Sequence, residues 1–145
     1  MQLTYNNSHL SKQLEQWLKP VLYLQLTWVA LCILWNVAGV ILLSQGLKSP
    51  GPTASLIAAL VIALIGVGLI SSLNRRHTIY LILSILVGIM GYLAVANAFS
   101  ADPMLWPSDF WRYAGAALNS VGVLSALLAV TGFIRWKSSR VPSKP

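Results

Sequence analysis

Four long apolar stretches, 21–43, 53–73, 78–99 and 113–134, follow one another along the chain, and none contains an Asp, Glu, Lys or Arg. Each holds 21 to 23 residues, which at about 1.5 Å of rise per residue matches a hydrocarbon core of about 30 Å. A helix satisfies its backbone hydrogen bonds within one segment whereas a lone strand in lipid does not, so the pattern predicts four transmembrane helices. The expected fold class is all-α integral membrane: a four-transmembrane-helix antiparallel bundle forming one domain, 1–145. Ser108 is placed to cap a helix whose first residue, Asp109, suits the N-terminal dipole, which extends the fourth span to 109–134.

Ahead of the first span, Leu10, Leu14, Trp17 and Leu18 recur at helical spacing while Lys12, Gln13, Glu15, Gln16 and Lys19 take the other face. That pattern predicts an N-terminal interfacial amphipathic helix over 8–19. Pro20 then fits the first turn of a new helix, where its missing N–H is harmless. A cleavable signal peptide is a poor match, because the apolar run is too long and no Ala-x-Ala pattern follows it.

The connections differ in character. Gly46, Pro50, Gly51 and Pro52 mark 44–52 as a turn, and 74–77 is a four-residue hairpin that makes spans two and three neighbours. Residues 100–112 combine Pro103, Pro107, Asp102 and Asp109 with the apolar group Met104, Leu105, Trp106, Phe110 and Trp111. The prolines prevent one regular helix from burying all of that group, so these five residues are the expected partner-binding element, with Trp106 the foremost hot spot.

Within the spans, small and polar residues gather on single faces. Span one places Gln25, Trp28, Cys32, Trp35, Asn36 and Gly39 on one arc, and span four Gly115, Asn119, Gly122, Ala126 and Ala129. Span three contributes Tyr80, Ser84, Gly88 and Gly91, and span two Ser55, Ala59 and Gly66. Such stripes permit close backbone approach, which drives helix association in lipid. Asn36 and Asn119 fall at the same depth, so an intramembrane polar contact between them is expected, worth about 1 kcal/mol.

Composition changes the picture by direction rather than by class. The chain is 57% hydrophobic and only 9% charged, and its net charge of +7 is distributed unevenly. Lys12, Lys19, Arg75, Arg76, Arg135, Lys137, Arg140 and Lys144 lie on one side of a four-span arrangement, and Lys48 and Arg112 on the other. This asymmetry predicts a multi-pass protein of the cell (inner) membrane with N-terminus and C-terminus cytoplasmic, and 135–145 as a basic cytoplasmic tail near anionic lipid. No array of stacking aromatics accompanies the basic tail, whose one aromatic ring is Trp136, so nucleic acid is not an expected partner.

Candidate chemistry is sparse. Cys32 is the single cysteine, and the two histidines, His9 and His77, lie outside the spans, away from where an intramembrane haem would need ligands. No Asp, Glu, Lys, Arg or His lies within the four apolar stretches to carry protons. Asp102 and Asp109 are the only acidic pair available for catalysis or a metal, and helix capping plus an Asp109–Arg112 pair accounts for them more simply. The expectation is therefore a non-enzyme with no cofactor and no bound metal. It would act through contacts with other integral membrane protein subunits and membrane lipids, homo-oligomers included, as an accessory subunit, assembly factor or inhibitor of a larger complex. The alternative is a small channel or carrier for a neutral or weakly polar solute, with Asn36 and Asn119 lining its path.

Overall fold

The computed structural model describes residues 2–74 and 76–139, with side chains from Lys12 onward. Leu10, His9, Arg75, Arg140 and Lys144 of the preceding argument, and the tail beyond 139, lie outside the described side chains.

The chain is all helical: α1 (Gln2–Ser44), α2 (Leu56–Ser72), α3 (His77–Ser100), a short 3-10 turn at Pro103–Leu105, and α4 (Asp109–Ser138). Three segments are long and apolar enough to cross a membrane, namely Lys12–Ser44 of α1, then α3 and α4; α2 is a shorter apolar helix of 17 residues. Helices α1, α2, α3 and α4 pack in cyclic order as an antiparallel bundle, with α2 and α3 in the least contact. The turn 45–55 and the segment 101–108 lie at one end, called here the loop end; the α2–α3 hairpin lies at the other.

Two boundaries differ from the sequence reading. The separate interfacial helix expected over 8–19 is instead part of α1, which continues unbroken through Pro20. A proline inside a helix costs about 3 kcal/mol, and packing on both sides of it supplies the compensation. Leu14, Leu18, Val21 and Leu22 are all buried, and the Trp17 indole donates to the Leu128 carbonyl of α4 at 3.3 Å. The second helix starts at Leu56 rather than at 53. Ser55 is extended and its hydroxyl accepts from the Ile57 N–H, which fixes the N-terminus three residues late. The preceding turn is closed at the end of α1 by Gly46, at φ +73°. The Gly46 N–H meets the Leu43 carbonyl and the Leu47 N–H the Leu42 carbonyl, the Schellman arrangement that glycine favours.

Glycines set the helix spacing. Along the α1–α4 seam three tryptophans of α1 sit over three glycines of α4: Trp17 on Gly132, Trp28 on Gly122 and Trp35 on Gly115. The α3–α4 seam is closer still, since a Cβ at Gly91 would lie 2.7 Å from the Asn119 backbone oxygen, and one at Gly88 2.7 Å from Ala126 Cβ. The hairpin half of the interior is closed. Gln25, Leu18, Leu69, Tyr80, Ser84, Val87 and Ala129 are each at most 1% exposed, and the Tyr80 hydroxyl donates to Gln25 Oε1 at 2.8 Å. Outside, large aliphatic side chains such as Ile57, Leu64, Ile82, Ile89 and Leu127 are exposed. An apolar exterior of this kind is compatible with an apolar solvent around the bundle.

Candidate functional site

A cavity of about 410 Å³ opens in the loop half of the bundle. All four helices and both connections build it. Its deep wall is Trp28 and Cys32 of α1, Ile62 of α2, Met90 of α3 and Leu118 of α4; its rim is Thr53, Asn97 and Trp106. The cavity exists because α2 and α3 are joined closely only at their hairpin, where Gly68 sits against Leu83. Toward the loop end Ala58 and Ile62 face Leu93, Ala94 and Asn97 across open space.

Asn36 and Asn119 both line this cavity. The hydrogen bond expected between them is not there. Asn36 Nδ2 donates to the Cys32 carbonyl at 2.9 Å, and Asn119 Nδ2 to the Gly115 carbonyl at 2.8 Å. Each amide is satisfied by a carbonyl one turn back on its own helix, which removes the need for a partner across the seam. Asn36 Oδ1 accepts the Ser55 N–H at 3.0 Å and thereby holds the start of α2. Asn119 Oδ1 receives only the Cys32 thiol, at 3.9 Å. With Cys32 as a shared neighbour but no bond between the two amides, the double variant Asn36→Leu/Asn119→Leu should cost more in detergent unfolding than either single change. Asn36→Leu should be the larger loss, because it strands the Ser55 N–H. A double variant milder than either single change would show that the two amides do meet.

The five loop residues separate into two groups. Trp106, the expected hot spot, faces inward: it is 6% exposed and packs with Ala98 and Ala116, its benzo edge over Gly115. It is therefore committed to the protein's own core in this conformation. Met104, Leu105 and Phe110 are exposed at 77%, 54% and 68%. Trp111 is half-way between, meeting Trp35 edge-on at 5.6 Å and Phe110 at 5.4 Å. The loop is well held. Asp102 accepts the Met104 N–H at 2.9 Å, and Lys48 Nζ donates to the Met104 carbonyl at 2.7 Å, tying this loop to the 45–55 turn.

The acidic residues are used locally. Asp102 caps the 3-10 turn, and Asp109 pairs with Arg112 at 3.2 Å. Ser108 stands at the N-cap of α4 without the side-chain hydrogen bond expected of it. Among the described residues no group of three or more His, Cys, Asp or Glu is placed to hold a metal ion.

The Gln25–Tyr80 hydrogen bond escaped the sequence reading, although both residues were on interior faces. Each lies within the first five residues of its span, and α1 and α3 run parallel, so the depth comparison applied to the two asparagines would have paired these as well. The seating of tryptophan on glycine has no such signal, because it depends on the register between α1 and α4. Comparison of the chain with protein-family models, with curated proteins and with solved structures finds no match.

Proposed function

We propose that this protein is a four-span, multi-pass component of the cell (inner) membrane with both termini cytoplasmic, acting without catalysis by contact with other integral membrane proteins. In this reading α2 is the second span, its 17 helical residues reaching about 25 Å. The loop end faces outward, because most Lys and Arg belong to the hairpin end and the termini. The accessory, assembly or inhibitory role rests on one observation. Met104, Leu105 and Phe110 are large, apolar and exposed, yet the first two sit on a loop fixed by the Asp102 cap, the Lys48 bond and the buried Trp106, and Phe110 on the first turn of α4. A surface already held in shape loses little conformational freedom on binding, which is what a contact surface requires.

Orientation is tested by cysteine labelling. Ser49 and Ser72 are buried and would be silent whichever side they face, whereas Ser108, Asn74 and Ser139 are exposed. A cysteine at Ser108 should react with an impermeant reagent added outside, and cysteines at Asn74 and Ser139 should not; the opposite pattern would overturn the topology.

The contact surface is tested with Met104→Ser and Phe110→Ser together. Binding of co-purifying membrane proteins should weaken by about 2 kcal/mol or more, roughly thirtyfold, at unchanged thermal stability. Retention of every partner would leave the loop as a headgroup anchor. Trp106→Ala is the wrong probe, because it would open the protein's own core.

A second reading, a carrier for a neutral solute, draws on the cavity and its asparagines. It requires the closed hairpin half around Gln25, Tyr80 and Leu69 to open, and the contact reading requires no such change.

A further inference from the structure

We propose that the loop-end cavity is a binding site for an uncharged, largely apolar molecule carrying a carbonyl or similar acceptor oxygen. Size and lining come first. A volume of about 410 Å³ lies in the range of small-molecule sites, and its walls are aromatic and aliphatic with a few polar groups, the usual composition of such sites. No ionisable acid or base other than the Cys32 thiol lines it, so a charged ligand would enter unpaired and at high cost.

The state of the polar groups gives the ligand's chemistry. The amide oxygens of Asn36 and Asn119 are already engaged, the first by the Ser55 N–H and the second by the Cys32 thiol. Among the fully buried groups of the wall the donors are in surplus. The indole N–H groups of Trp28 and Trp106 are buried without an acceptor, although their residues are 1% and 6% exposed and both line the cavity. Native proteins rarely leave a buried donor unpaired, and such a group calls for a specific partner. Trp106 is the better placed of the two. It belongs to a connection rather than a helix, and even a Cβ added at Gly115 would stand 3.6 and 3.7 Å from its ring, an ordinary contact, so a small turn of the ring has room to bring its N–H to a ligand oxygen. Asn97, half-buried on the rim, lines the same space, and its side chain makes no hydrogen bond among the described residues. A ligand oxygen near the rim therefore meets two donors, Trp106 and Asn97, while its apolar body rests on Ile62, Met90 and Leu118. The gap between α2 and α3 gives access from the side. On the topology proposed above that side is the outer leaflet, but binding itself does not depend on the topology.

The test uses the full chain in mild detergent, with benzophenone as a photoreactive ketone and cross-links mapped by peptide mass spectrometry. Saturable labelling is expected at Met90 and Ile62, in preference to the exposed Leu64 and Ile89. Dicyclohexyl ketone should compete about three- to tenfold better than dicyclohexylmethane, the effect of one hydrogen bond, and cyclohexanecarboxylate should not compete. Trp106→Phe with Asn97→Leu should remove the ketone's advantage and leave the hydrocarbon's competition unchanged. Unsaturable labelling spread over Leu64 and Ile89 would overturn the site. Equal competition by ketone and hydrocarbon would overturn the acceptor chemistry and reduce the cavity to a place for an alkyl chain. Competition by the carboxylate would overturn the neutrality of the ligand.

Discussion

Gly122→Leu is expected to destabilise the protein by about 3 kcal/mol, at the upper end of what overpacking a core produces. A first side-chain carbon at Gly122 would lie 2.8 Å from Trp28 Nε1 and 2.9 Å from Cε2. The neighbour that must yield is a rigid ring, 1% exposed, in the same packed cluster as Cys32 and Ile62. Leucine adds three more carbons to that conflict, and the relief available is separation of α1 from α4. Leu124→Ala, two residues on, removes a side chain that is 54% exposed and should change stability by less than about 0.5 kcal/mol. Trp28→Ala in the Gly122→Leu background should recover part of the loss, because the leucine then occupies volume that the indole vacates. Reversible unfolding in a mild detergent measures all three. Equal effects of Gly122→Leu and Leu124→Ala, or strict additivity of Gly122→Leu with Trp28→Ala, would show that this ring is not seated on this glycine.

Gly91→Ala is expected to cost about 2 kcal/mol, while Gly68→Ala should be neutral or stabilising. Both glycines lie inside helices, both gain about 1 kcal/mol of helix propensity on substitution, and both would place a Cβ in close contact. The difference is in what it meets. At Gly91 the obstacle is the Asn119 backbone oxygen at 2.7 Å, with the Val123 nitrogen at 3.2 Å, whereas at Gly68 it is the tip of Leu83 at 2.8 Å. A leucine methyl moves by a small change of rotamer. A backbone carbonyl moves only with its helix, so α3 and α4 must part along their closest seam, and cross-helix contacts up to Gly88–Ala126 weaken together. Comparable stabilities for the two variants would mean that the α3–α4 approach is looser than this geometry.

The four apolar helices were legible because one-dimensional hydropathy records them, although the helix expected over 8–19 is not a separate one: a run of apolar residues ends where charge or proline begins. Which face of each helix turns inward was also legible, since small residues at helical spacing mark it, and Trp28, Gly91 and Gly122 are all interior. Pro20 misled because local propensity disfavours a helix there, whereas α1 is held on both sides of it by Leu14, Leu18 and Val21 against its neighbours. The Asn36–Asn119 contact was half right. Depth is read one helix at a time, but the choice of hydrogen-bond partner is three-dimensional, and the nearest carbonyl on each amide's own helix won. Trp106 misled for a related reason. Its apolar area had to go somewhere, and composition alone did not separate a partner's surface from the protein's own Ala98, Ala116 and Gly115.

The tryptophan seats along α1 and α4 have unequal spacing. Trp17, Trp28 and Trp35 are separated by eleven and seven residues, and Gly132, Gly122 and Gly115 by ten and seven. Slide one helix past the other, and at most one ring finds a glycine in any other alignment, much as a key with irregular teeth fits in one position only. A one-turn slip of about 5.4 Å would drive rings against Asn119, Ala126 or other side chains, so shear along this seam is forbidden in steps as well as by degrees. Helix α3 is bound to α4 by the close approach at Gly88 and Gly91. Slippage along either seam is therefore opposed by the same small residues that let the helices meet, and the boundary with the least packing in the bundle is the one between α2 and α3, beside the open cavity.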